Sequence, residues 1–138
     1  MTERPAELPH PVSIAEWARP QGYSDVMVGT GRVIVTAGMI GWDPRTREFR
    51  SPDLVQQVHQ TLENVVAAVR AGGGEPGHIV RLTWYIVDRQ AYLSRLREIG
   101  VAYRSVMGKH YPAMAVVIVA GLVERNALVE IEATAIVP

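Results

Sequence analysis

The chain has 138 residues, with 14 Lys+Arg against 14 Asp+Glu and a formal net charge of +0. That length and a charged fraction of 20% fit one globular domain and exclude a disordered or low-complexity chain. Balanced charge argues against an electrostatic nucleic-acid binder, the lack of cysteine excludes a disulfide framework, a thiolate metal site and a Cys nucleophile, and no apolar run approaches the roughly 20 residues of a membrane helix.

The N-terminal MTERPAELPHP carries charge and proline where a secretory leader needs an apolar core, so the expected compartment is the cytoplasm. Aromatic residues are only 7% of a chain that is 48% apolar, so the apolar content is mostly aliphatic. A small domain has a large surface for its volume. Part of that aliphatic area is expected to be covered by something other than the chain's own core.

Residues 1–22 form a lead-in broken by Pro5, Pro9, Pro11 and Pro20, with a short turn at Ile14–Trp17. It is expected to pack on a single domain spanning 23–138. Gly29-Thr30-Gly31-Arg32 reads as a hairpin turn, because glycine supplies positive φ. Arg32 to Gly38 reads as a buried strand and Asp43–Thr46 as a turn. Ser51-Pro52-Asp53 reads as a helix start, with Ser51 as N-cap, Pro52 at the first helical position and Asp53 at the positive end of the dipole. Leu54, Val58, Leu62, Val65 and Val69 recur on one helical face, and Gly72-Gly73-Gly74 ends the helix.

His78 to Val87 alternates as a strand, with Leu82, Trp84 and Ile86 opposite Arg81, Thr83 and Tyr85. Asp88 can cap a second helix carrying Tyr92, Leu96, Ile99, Tyr103 and Val106 at helical spacing. Gly100 inside it costs about 1 kcal/mol relative to Ala and suggests a close approach. Gly108 closes that helix. Ala113–Ala120 and Leu128–Val137 are the last strands.

The fold class is α+β: β-β-α-β-α-β-β, a mixed sheet with both helices on one face. The other face is left uncovered. Ala113-Met-Ala-Val-Val-Ile-Val-Ala120 is apolar on both sides, whereas the last strand sets Val129, Ile131 and Ala133 against Glu130, Glu132 and Thr134. Either a loop covers that face, or a subunit interface buries it and gathers polar groups in a cleft at its rim.

Three segments together resemble the Rid/YjgF family: Val35-Thr-Ala-Gly-Met-Ile-Gly-Trp-Asp-Pro44, Gly108-Lys-His-Tyr-Pro-Ala113 and Val129-Glu-Ile-Glu-Ala-Thr-Ala135. The helix Gln56-Gln-Val-His-Gln-Thr-Leu-Glu-Asn-Val65 is similar to that family's first helix. The resemblance runs from about Tyr23 to the C-terminus. It implies a chorismate-mutase-like fold and a homotrimer with sheets turned inward and clefts between subunits. It also implies cofactor-independent hydrolysis of reactive enamines or imines, such as 2-aminoacrylate, to ketones and ammonia. The partners expected are a small molecule and sister subunits, with no nucleic acid and no membrane.

The resemblance carries a departure. Deaminase-type members have an Arg after the Pro-Ala that clamps the substrate carboxylate, and here Met114 follows Pro112-Ala113. A thioether offers neither charge nor a donor fork, so a contact worth roughly 1.5–3 kcal/mol is missing. Ala37 stands where a Ser often lies, Met39 where a Gln often lies, and Gly100 roughly where an Asn lies on the second helix. Glu130 matches the family's acid of the terminal strand, Tyr23 its tyrosine before the first hairpin, and Gly38 and Ala113 its backbone cleft positions.

Glu130 is therefore the candidate catalytic group, since a carboxylate can orient water and relay protons. Its alternative is a strand glutamate in a polar network at a subunit contact. Tyr23, Ala37, Gly38, Met39, Gly100, Pro112, Ala113 and Met114 are the candidate binding residues. Tyr23 could instead anchor the lead-in. Met39, Trp42, Trp84 and Met114 form either an apolar wall or ordinary packing. Arg19, Arg81 and Arg125 are possible replacement anion contacts or solvated charges. His59, His78 and His110 lack metal-ligand spacing, so no metal is expected. The readings are an enamine/imine deaminase of altered specificity, a binding module without catalysis, and a ribonuclease, which the even charge disfavours.

Overall fold

Residues 6–138 are described by a computed structural model of the chain, and Pro5 lies outside them. The elements in order are β1 (His10–Pro11), β2 (Met27–Val28), β3 (Arg32–Val35), β4 (Met39–Ile40), β5 (Trp42–Asp43), β6 (Glu48–Phe49) and α1 (Leu54–Ala71). After a 3-10 turn at Pro76–His78 come β7 (Ile79–Ile86), α2 (Arg89–Leu93), α3 (Leu96–Met107), β8 (Ala113–Ile118) and β9 (Val129–Val137). The main sheet runs β3-β9-β7-β8, with β4 also paired to β9. Among the described strands of the main sheet, only β7 and β8 run parallel. Their crossover carries α2 and α3, because parallel neighbours cannot be joined by a tight turn.

The α+β architecture expected from the sequence is the one observed, with four local differences. Gly29–Arg32 does not close a hairpin: β2 pairs with β1 in the lead-in, while β3 pairs with β9. Gly31, at φ 144°, instead lets the chain pass against the end of β9, where a β-carbon would fall 2.0 Å from the Val137 carbonyl oxygen. The strand expected to be buried over 32–38 is regular only to Val35 and buries Ile34, leaving Val33 and Val35 exposed in the single chain.

The first helix is capped by Asp53, whose side chain accepts from the Gln56 N–H, and Ser51 Oγ accepts from the Asp53 N–H one step earlier. The second helix is two. Asp88 caps α2 as expected, but the chain breaks at Ser94–Arg95. Arg95 leaves helical geometry and its guanidinium bridges Asp53 and Glu98. This tie holds the start of α3 to the start of α1.

Val58, Leu62, Val65 and Val69 of α1 and Ile99, Tyr103 and Met107 of α3 bury against Leu82, Trp84, Ile131 and Ala133 on one side of the sheet. Three polar residues of α1 sit in this layer with their groups satisfied. Gln57 donates to Ser51 O and Asn126 O and accepts from the Leu128 N–H. Thr61 donates to Gln57 O, and Asn64 donates to Ile40 O and Trp42 O. They fix the loop before β9 and the β4–β5 corner onto the helix.

On the sheet's other side the register lines up Val33, Val35, Arg81, Thr83, Tyr85, Ala115, Val117, Glu130, Glu132 and Thr134, with no helix over them. Val35 is 72% exposed there. A row of exposed valines on an open sheet face is the unusual feature of this surface. Among the described residues, no helix is long and apolar enough to cross a membrane.

Candidate functional site

The segment just after the lead-in is tied to the start of β8. Ser24 forms a parallel bridge with Ala113, its N–H donates to Pro112 O, and its hydroxyl donates to Tyr111 O. That places Tyr23 at the mouth of a pocket of about 610 Å3 between α3 and the edge strand β8. Tyr23, Gly100 and Met114 all line it, with Trp84, Tyr103 and Tyr111 as its aromatic wall. Pro112 is fully buried beneath, and Ala113 precedes Met114 on the sheet's opposite side. Met114 neighbours Leu82 in register and so turns toward the helices.

The aromatic wall is stacked. Tyr103 lies 6.3 Å from Trp84 and 5.6 Å from Tyr111, centroid to centroid, and its hydroxyl donates to His110 O. Burial, with the neighbouring Tyr111, pushes the Tyr103 phenol well above its usual range, so it stays a neutral donor. The Trp84 indole N–H is buried without a hydrogen-bond partner among the described residues.

Glu130 is elsewhere. It shares the open face with Tyr85, and a β-carbon on Gly38 would fall 2.7 Å from its carboxyl carbon. Glu132, the next residue on that face, accepts from the Tyr85 hydroxyl at 2.7 Å. That hydrogen bond, then desolvation, raises the Tyr85 pKa. Glu130 itself has no hydrogen bond or ion pair among the described residues. Ala37 and Gly38 are exposed beside it, whereas Met39 pairs with Ile131 and packs half-buried against the core.

The candidates thus fall into two sets on opposite sides of the sheet: Tyr23, Gly100 and Met114 in the pocket, and Ala37, Gly38 and Glu130 on the open face. No single chain encloses both. Of the proposed apolar wall, Trp84 and Met114 meet, while Trp42 packs on Phe49 under Arg47. His78 accepts from the Glu75 N–H, His110 contacts Ile79 O, and His59 faces Glu63. Arg104 also lines the pocket, and in the sequence its one signal is Gly100 four residues earlier.

An α+β layer with one open sheet face and an edge-strand pocket defines the class. The family model described as Endoribonuclease L-PSP matches residues 14–137. The chain is 34% identical over 112 residues to the 2-iminobutanoate/2-iminopropanoate deaminase of Escherichia coli, covering 79% of this chain and 83% of that one. It is 31% identical over 117 residues to a RutC family protein of Pyrococcus horikoshii, covering 85% and 89%. A structure of a conserved Rid family protein from Yersinia pestis superposes with TM-score 0.84 at 26% identity over 95% of this chain and all of that one. Escherichia coli TdcF with bound serine superposes with TM-score 0.67 at 29% identity over 96% and 99%. The chain belongs to the Rid/YjgF family.

Proposed function

We propose that this chain is a cofactor-independent hydrolase that deaminates reactive enamines or imines in clefts between the subunits of a homotrimer. The observation that carries this reading is the Glu130 carboxylate, without a hydrogen bond or ion pair among the described residues, lying over Gly38 on an open sheet face. Relatives named as imine deaminases support it. In this reading the two sets meet across a subunit boundary, Glu130 of one chain opposite the Met114 pocket of its neighbour.

In the proposed reaction, water adds to the imine carbon while Glu130 accepts a proton from it and passes that proton to nitrogen. The carbinolamine then collapses, its hydroxyl proton moves to nitrogen, and ketone and ammonia leave. An enamine first takes a proton on carbon to become the imine. Proton relay of this kind contributes roughly 10²–10⁴-fold. With Met114 in place of an Arg, small 2-imino acids lose a carboxylate clamp, and specificity shifts to larger substrates.

The test is ammonia release from a panel of imines by the wild-type protein and Glu130→Gln. Loss of turnover in the variant is expected, and equal rates would remove Glu130 from the mechanism. Met114 favours one second reading, a trimer that binds a metabolite without turning it over. A ligand recovered unchanged after saturation binding, with no imine on the panel hydrolysed, would establish that reading instead.

A further inference from the structure

Among the described residues, Arg104 is the one charged residue lining the pocket between α3 and β8. It has no hydrogen bond or ion pair with any described residue, unlike Arg95 at the start of the same helix, which is engaged by Asp53 of the α1 cap and by Glu98. Its guanidinium lies over Gly100: a β-carbon added there would fall 3.2 Å from Arg104 Nη1. The glycine that weakens this helix therefore leaves the space in which the guanidinium rests. On the facing strand Met114 removes any competing charge, and Trp84, Tyr92, Tyr103 and Tyr111 supply flat apolar surface. Arg81 instead lies on the open face beside Glu132, and Arg19 lies in the cleft under the lead-in.

We infer that Arg104 anchors the carboxylate of an aromatic or similarly bulky organic acid in this pocket, and that Gly100 leaves it room to lie there. A guanidinium presents a planar donor fork to a carboxylate, and an aromatic wall beside it holds an apolar body. A pocket of about 610 Å3 in the single chain leaves room for a phenyl-bearing acid. The charge has moved from the edge strand to the helix, and the room left between them sets the size of the acid.

The inference names a substrate class and rests on the deaminase reading only for the chemistry that follows binding. Its test is calorimetric titration with phenylpyruvate, pyruvate and the neutral 4-phenyl-2-butanone, on wild-type protein, Arg104→Gln, Arg104→Lys and Gly100→Ala. Circular dichroism checks that each variant is folded. Phenylpyruvate is expected to bind wild type more tightly than both other probes. Arg104→Gln should weaken it about tenfold or more, the scale of a charge-assisted pair. Arg104→Lys should recover part of the affinity, and Gly100→Ala should lose some of it with Arg104 intact.

Three results overturn the inference: phenylpyruvate affinity unchanged in Arg104→Gln, phenylpyruvate bound no better than the neutral ketone, or no binding to wild type. Arg104-dependent binding without turnover of any imine would count against the deaminase reading alone. Turnover indifferent to Arg104 would count against this inference alone.

Discussion

Glu130 folds its carboxylate over Gly38, so closely that a β-carbon on Gly38 would lie 2.7 Å from both Glu130 Cδ and Oε2. The obstructing atoms are the end of a flexible side chain, not backbone. Gly38→Ala is therefore expected to swing the carboxylate aside and leave the fold intact. Its melting temperature should stay close to wild type, while ammonia release falls toward that of Glu130→Gln, roughly 10²-fold or more below wild type. Full activity in a folded Gly38→Ala protein would show that the position of this carboxylate does not matter.

Gln57 holds the chain leading into β9, the strand that carries Glu130. It is 1% exposed and makes three hydrogen bonds to backbone groups of Ser51, Asn126 and Leu128. Gln57→Leu keeps the volume and strands those groups, at a cost of roughly 2–4 kcal/mol in urea unfolding. Gly41 packs against the same residue, and a β-carbon there would fall 2.8 Å from Gln57 Cβ and 2.9 Å from its Cα. Gly41→Ala meets helix backbone, which cannot swing away, and is expected to destabilise by about 1–3 kcal/mol. The contrast with Gly38→Ala is the check: two glycines three residues apart, one affecting activity and the other stability.

How much of this was legible in the sequence depends on the range of the interactions involved. The two faces of β9 were readable because a strand alternates with period two, and Glu130 and Glu132 break an otherwise aliphatic run. The aliphatic face of α1 was readable for the same kind of reason. The break between α2 and α3 was not, because Tyr92, Leu96, Ile99 and Tyr103 keep a helical period across it. At the break Arg95 reaches Asp53, which is distant in sequence. The β1–β2 pairing was hidden by the prolines around His10. The candidate residues could be named only one position at a time, and nothing local said that Glu130 and Met114 would face opposite sides of the sheet. Arg104 was masked by looking like any solvated helix charge.

The open sheet face predicts assembly. Val35 is 72% and Val33 58% exposed in the single chain, and β8 leaves Val117 41% exposed on the same face. Sedimentation should give three times the chain mass for wild type. Val35→Asp places a charge in the middle of that face and is expected to yield smaller species with an unchanged circular dichroism spectrum, since Val35 is mostly exposed within its own chain. A monomeric wild-type protein would contradict the proposed trimer and with it the inter-subunit cleft.

Stability against acid should report on the α1–α3 tie. The Arg95 guanidinium, with the Gln56 N–H, holds Asp53 below the usual carboxylate range, and Arg95 lowers Glu98 likewise. A depressed carboxylate stabilises the fold above its ordinary pKa, and the contribution is lost as pH falls through the lowered value. Melting temperature should therefore hold from neutrality to about pH 5 and then decline below about pH 4. Arg95→Gln should melt lower than wild type near neutrality, with the two curves converging on acidification as the carboxylates protonate. Asp53→Ala adds the loss of the α1 cap, about 1 kcal/mol. Because roughly a third of each side chain in the Asp53–Arg95 pair meets solvent, salt should shrink the neutral-pH difference as well. Curves that run parallel from neutral to acid would mean that Arg95 acts through packing and not through these charges.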